Sequence, residues 1–68
     1  MAWNREQYPA AMRDLDHEIR RNAIELANLL LQDGHDEDFA VRLAIVRAMA
    51  WGRLHALLSS LKKSMAAD

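Results

Sequence analysis

The chain has 68 residues, with nine Lys and Arg, ten Asp and Glu, a formal charge of −1 and no cysteine. A chain this short forms one domain and buries only about 60% of the surface that it exposes when unfolded. Disulfides and thiolate metal sites are excluded, so we expect oligomerisation to supply the missing stability, and the near-neutral charge argues against nucleic acid as a partner.

The N-terminal segment predicts a short helical turn over residues 8–13, ending near Asp14. Pro9 suits a first helical position because its missing amide would have no partner there. We expect Trp3, Tyr8 and Met12 to fold back over the open edge of the helices that follow. The alternative is an aromatic cluster that stacks on a ligand, but core packing is the simpler interpretation for so few large side chains.

Helix one is predicted to begin after Asp16, a favourable N-cap residue, and to run to about Asp33. Gly34 follows where a left-handed C-terminal residue favours glycine, and Asp36 can cap the next helix. So short a connection predicts antiparallel neighbouring helices.

Helix one has one apolar face and one polar face at helical spacing. The apolar face comprises Ile19, Ala23, Leu26, Ala27 and Leu30, widened by Ile24 and Leu31. The polar face comprises Arg21, Glu25, Asn28 and Gln32. Leu29 belongs to neither face. The pattern is typical of a helix that packs on one side.

Helix two, predicted from residue 37 to about 62, has two apolar stripes. The first stripe comprises Ala40, Val41, Ala44, Ile45, Ala48 and Trp51. The second stripe comprises Phe39, Leu43, Val46, Ala50, Leu54, Leu57 and Leu61, at intervals of four, three, four, four, three and four residues. These intervals are close to those of a coiled-coil seam. Gly52 leaves open whether the helix is continuous or bent.

Arg47 lies close to the second stripe and makes a sealed core there unfavourable, because an unpaired buried cation costs several kcal/mol. At the rim of an interface its methylenes could cover apolar surface while the guanidinium stays in water. A bend at Gly52 could instead move Arg47 aside. The stripe is therefore predicted to be an interface rather than a closed core.

No segment has the pattern of a signal peptide or a membrane-spanning helix. Residues 1–15 lack an apolar run, so we expect a cytoplasmic protein. Residues 39–58 are apolar but contain Arg42, Arg47 and Arg53, each of which costs roughly 2.5 to 3.5 kcal/mol at the centre of a bilayer.

The polar residues do not form a recognisable chemical site. Asp33 and residues 35–38 could ligate a divalent ion, but the spacing does not match a calcium loop and helix capping accounts for it. Ser59, Ser60 and Ser64 have no histidine and carboxylate placed to activate them. We therefore expect no catalytic residues, no cofactor, no metal and no small-molecule substrate. A helix-turn-helix protein is disfavoured because helix two would present an acidic end to DNA.

Several segments together resemble a known family of small proteins. They are Met1-Ala2-Trp3, Tyr8-Pro9, residues 12–15, Ile19-Arg20, residues 23–28, Asp33-Gly34, residues 40–45 and Trp51. The pattern resembles the small uncharacterised bacterial YdaT-like proteins and, more distantly, the ChaB family. The resemblance implies a compact helical fold in a bacterial cytoplasm and no activity. Ala2, Phe39, Met49, Ala50 and the tail after Trp51 depart from it.

The sequence thus predicts an all-α protein: an antiparallel helical hairpin with a short N-terminal helical turn, dimerising into a four-helix arrangement. Residues 1–63 form one helical domain and residues 64–68 a frayed tail. Its function is predicted to be non-enzymatic binding, to a second copy or a partner helix, through Phe39, Leu43, Val46, Arg47, Ala50, Leu54, Leu57 and Leu61. The alternative is a peripheral membrane or transport-regulatory factor whose apolar stripe lies on lipid.

Overall fold

A computed structural model describes residues 3–66, with side chains through residue 63. A 3-10 turn, Ala10–Met12, precedes two α-helices, α1 over His17–Gln32 and α2 over Glu37–Ala66. The described part of the chain contains no strand. The predicted all-α hairpin with its N-terminal turn is confirmed.

The turn between the helices is fixed by backbone hydrogen bonds at Gly34. This glycine adopts a φ of 96°, the left-handed conformation predicted for it. Its N–H donates to the Leu31 carbonyl at 3.0 Å, and the His35 N–H donates to the Leu30 carbonyl at 3.0 Å, which together form a Schellman motif. The Phe39 N–H then donates to Asp36 Oδ2 at 3.4 Å, so Asp36 caps α2 as predicted.

Asp16 stands at the N-cap position of α1, but its carboxylate accepts no capping hydrogen bond. The predicted side-chain cap is therefore wrong. The Asp16 side chain is exposed, so water can satisfy it, while its carbonyl accepts the Arg20 N–H at 2.7 Å. The start of α1 is instead stabilised by the hydrogen bonds of the Arg20 side chain, described below.

Small side chains let the two helices approach closely. Ala23 and Ala27 of α1 are fully buried, and so are Ala40, Ala44 and Ala48 of α2. Larger side chains pack around this centre and are only partly buried: Ile19, Leu26, Leu30, Val41 and Ile45. The first stripe of α2 up to Ala48 therefore forms the contact between the two helices, whereas Trp51 is 38% exposed and stacks on His55.

The N-terminal segment covers one edge of the hairpin, as predicted. Met12 is fully buried, and Trp3 and Tyr8 pack against the same core. The Trp3 N–H donates to Asn28 Oδ1 at 2.9 Å, and Asn28 Nδ2 donates to the Trp3 carbonyl at 2.9 Å. The placement of Asn28 on the polar, water-facing side of α1 is therefore corrected, because its amide matches both backbone groups of Trp3.

Arg20 fastens the same segment to the first turns of α1. Its guanidinium donates to three backbone carbonyls, those of Met12, Arg13 and Leu15, at 2.9 to 3.2 Å. The guanidinium carbon also lies 5.0 Å from the centre of the Tyr8 ring, a cation–π distance. Arg20 thus closes the turn that leads into α1.

α2 is unbroken through Gly52 and ends at Ala66, beyond the predicted end near residue 62. It has 30 residues against 16 in α1, so its C-terminal half extends past the beginning of α1. The radius of gyration is 14.2 Å, whereas a compact domain of this length has about 11 Å. Met1 and Ala2, which belong to the resemblance pattern, and residues 67 and 68 of the predicted tail lie outside the described residues.

Gly52 lies where α2 passes the first turn of α1. A Cβ placed on it would stand 2.7 Å from Ile19 Cδ1 and 2.9 Å from Ile19 Cγ1. Both atoms belong to one side chain near the start of α1. The glycine therefore permits a helix contact that a larger residue would push apart.

We expect Gly52→Ala to be about 1 kcal/mol more favourable in an Ile19→Ala background than in the wild type. The helix-propensity gain is the same in both backgrounds and cancels, so the difference reports the clash with the Ile19 side chain. Denaturant unfolding at fixed protein concentration measures both effects. Gly34→Ala is the control, since its strain is local and should not depend on Ile19. Equal effects of Gly52→Ala in the two backgrounds would contradict the close approach.

Candidate interaction surface

Most of the second stripe is exposed on the surface of α2. Five of its large side chains are 48% to 63% exposed: Phe39, Val46, Leu54, Leu57 and Leu61. Leu43 is half-buried and Ala50 is exposed. Monomeric soluble proteins rarely expose contiguous apolar patches larger than a few hundred Å². Most residues of the second stripe therefore lie on one open face of α2, and their role as an interface stays a prediction.

The C-terminal part of α2, residues 53–66, is here called the overhang. Every side chain from Arg53 to Lys63 is exposed, so none of them is stabilised by a core within the chain. Isolated helices shorter than about 12 to 15 residues are marginal in water. The overhang adds Leu58, 49% exposed, to the leucines of the second stripe. A helix of this kind is stable when a partner covers its apolar face.

A shallow groove lies between the two helices beside the second stripe. Its volume is about 520 Å³, and it is lined by Leu26, Leu29, Leu30, Asp33, Leu43, Ala44 and Arg47. α1 thus contributes leucines to the candidate surface, which the sequence interpretation missed. The available signal was Leu29, which lies off both faces of α1 and is 61% exposed.

Arg47 is exposed and lines this groove. α2 is unbroken at Gly52, so no break there moves Arg47 away from the second stripe. Asp33 lines the same groove with the opposite charge. The groove therefore has an apolar floor with a cation and an anion at its margins.

The candidate chemical residues of the described chain lie at the turn between the helices and along the C-terminal part of α2. Among residues 3–66, no three His, Asp or Glu side chains come close enough to hold a metal ion. His35 Nε2 lies 3.4 Å from Asp33 Oδ2, and its ring lies 5.2 Å from the Phe39 ring, so it packs at the turn. The His55 ring stacks on Trp51 at 5.0 Å, and Ser59 and Ser60 are exposed.

Neither described helix combines the length and the apolar character required to cross a bilayer. Three arginines, Arg42, Arg47 and Arg53, interrupt the apolar residues of α2.

Comparison with known proteins identifies one similar sequence of unestablished function. The chain is 33% identical over 51 residues to the uncharacterized protein YdaT of Bacillus subtilis (strain 168). The match covers 75% of this chain but only 34% of YdaT, so the chain spans about a third of that relative's length. This similarity supports the predicted resemblance to YdaT-like proteins, whereas the similarity to the ChaB family stays a prediction. No family model and no solved structure matches.

We expect amide exchange in residues 57–63 to slow as protein concentration rises from low micromolar to submillimolar. Without a partner this segment has no core contact and should open readily, whereas burial of its leucines would protect it. Exchange mass spectrometry measures the difference. Residues 40–48, which face α1, serve as the internal control and should change less. Rapid exchange of residues 57–63 at both concentrations would show that association does not cover the overhang.

Proposed function

We propose that this protein is a non-enzymatic interaction module that binds a helix along the second stripe of α2. The observation that carries the proposal is a row of large apolar side chains on a helix whose end has no core of its own. From Phe39 to Leu61 the stripe runs about 33 Å at 1.5 Å per residue. That length suits helix–helix packing along an extended seam.

A helix fits this surface better than a small molecule does. The groove beside the stripe is shallow and open along α2, whereas small-molecule sites are concave and enclose most of the ligand. Amphipathic helices bind such grooves by apolar residues at intervals of three and four. This chain has both parts of such a contact. The open groove lies beside the second stripe, and the overhang is a helix with apolar residues at those intervals.

The charged residues around the stripe suit a protein interface. Arg47 and Asp33 lie at the groove margin, where they remain hydrated and select a partner by charge rather than adding much affinity. No enzymatic role follows from these two residues, since they flank an apolar floor. The proposed role is therefore binding without chemistry.

The similarity to YdaT adds no activity, since that protein is itself uncharacterized. We propose that the chain belongs with the YdaT-like bacterial proteins and works in the cytoplasm. Phe39, Met49 and Ala50, where this chain departs from the family pattern, lie on or beside the exposed stripe. The binding surface is thus proposed as a feature of this chain.

We expect the wild-type protein at micromolar concentration to have about twice the 7.8 kDa mass of one chain, measured by light scattering after size exclusion. Leu54→Lys with Leu57→Lys should return the mass to that of one chain, because two charges would enter the buried seam. Circular dichroism checks that the helices remain folded.

The matched control is Ala56→Lys with Ser60→Lys, which adds the same two charges to the overhang outside the second stripe. This control should keep the wild-type mass. A wild-type protein that is monomeric, and whose solubility and apolar-dye binding are unchanged by the lysines at Leu54 and Leu57, would contradict an interaction role for the stripe.

Lipid is the competing occupant of the stripe, because Arg42 and Arg53 share one side of it and could lie at lipid headgroups. We expect the wild-type protein to stay at the bottom of the gradient in flotation with anionic vesicles. The Leu54→Lys and Leu57→Lys protein should behave identically. Flotation of the wild type at concentrations where it would dimerise, lost in the double variant, would favour the membrane alternative.

A further inference from the structure

We propose that the partner of the second stripe is the same stripe of a second copy, running antiparallel about a twofold axis at Ala50. This inference rests on the proposed function and specifies its partner. Four features of the chain carry it: the symmetry of the spacing, the charge at the two ends of α2, the position of the groove, and the extent of exposed surface.

The intervals along the second stripe read the same in both directions, with Ala50 at the middle. An antiparallel copy centred there places Val46 opposite the partner's Leu54 and Leu43 opposite the partner's Leu57. Phe39 then lies opposite the partner's Leu61. Every apolar residue of the stripe therefore meets an apolar residue, which is the requirement of an isologous twofold interface.

Ala50 suits the position on the axis because two copies of the same side chain meet there. Its small size allows two helices to approach at the short end of the usual 8 to 10 Å range. The larger residues then pack on either side of the crossing. This accounts for an alanine at the middle of a stripe otherwise made of large side chains.

Charge favours the antiparallel direction over the parallel one. The first turn of α2 carries Glu37 and Asp38, and its end carries Lys62 and Lys63, all exposed. In the antiparallel register the acidic end of each helix lies beside the basic end of the other, and the two helix dipoles oppose each other. A parallel pair would place like charges together at both ends.

In this register the partner's overhang lies opposite the part of α2 that borders the groove. Leu43 lines the groove, and the partner's Leu57 stands opposite it in this register. Each overhang thus covers the groove of the other copy, which closes two hairpins into a four-helix arrangement.

The exposed surface is large enough for such a dimer. The chain exposes 5594 Å², whereas a compact protein of its mass exposes about 4,400 Å². The excess is on the order of 1,000 Å², close to the roughly 800 Å² that each partner buries in a stable complex. A second copy is sufficient to cover this excess.

Disulfide trapping tests the register, and the chain suits it because it has no cysteine of its own. Leu43→Cys and Leu57→Cys proteins are prepared separately, then oxidised alone and as a mixture, and analysed on non-reducing gels. We expect the mixture to form a covalent dimer and each single variant to remain at least tenfold less crosslinked. The reason is that position 43 of one copy lies opposite position 57 of the other, and neither position lies opposite itself. Ala50→Cys alone should crosslink with itself across the axis.

The outcomes separate this inference from the proposed function. Crosslinking of Leu57→Cys alone, as efficiently as in the mixture, would overturn the antiparallel register and leave a parallel interaction module. No crosslink from any variant, together with a single-chain mass for the wild type, would overturn self-association and leave only a different protein's helix as partner. Crosslinking confined to the mixture and to Ala50→Cys supports the inference.

Reversing the charges at the two ends of α2 provides a second test of the antiparallel direction. Glu37→Lys with Asp38→Lys, and Lys62→Glu with Lys63→Glu, should each raise the dimer dissociation constant by about tenfold at low salt. Mixing the two variant chains should restore dimers, because each end then pairs opposite charges again. If each variant alone dimerised as tightly as the wild type, the proposal that these charges favour the antiparallel direction would be overturned.

Discussion

The inequality in length between two tightly packed helices is the constraint on which the rest of the structure depends. Five buried alanines hold α1 and α2 together at close range, and Gly52 lets Ile19 press against the α2 backbone. This contact uses the first stripe of α2 up to about the middle of the helix. The overhang and the second stripe are left outside because α1 is too short to cover them.

The N-terminal segment completes the side of the hairpin that the two helices leave open, and it does so through two side chains of α1. Asn28 binds both backbone groups of Trp3, and Arg20 binds carbonyls of the turn before α1. Met12 is thereby sealed into the core. With that edge covered, the groove lined by Leu26 and Leu29 is the largely apolar one that remains open.

Much of this fold follows from local rules that the sequence obeys. The conformation of Gly34, the cap from Asp36 and the buried alanines all conform to spacing and residue type. The Asp16 cap is the exception, since its carboxylate accepts no capping hydrogen bond. Two other contacts that the sequence did not predict share one cause. The roles of Asn28 and Arg20 depend on backbone groups 25 and up to 8 residues away, and the periodicity of a single helix carries no information on which backbone will lie beside it.

The sequence by itself determined the all-α hairpin and the two stripes of α2, because helical periodicity and turn chemistry are local properties. It also placed the candidate interface residues on one face. Only the tertiary structure decided that α2 continues through Gly52, that its last turns leave α1, and that α1 adds leucines to the groove. Those features depend on where one helix stops relative to another, and that is set by packing between residues distant in the chain.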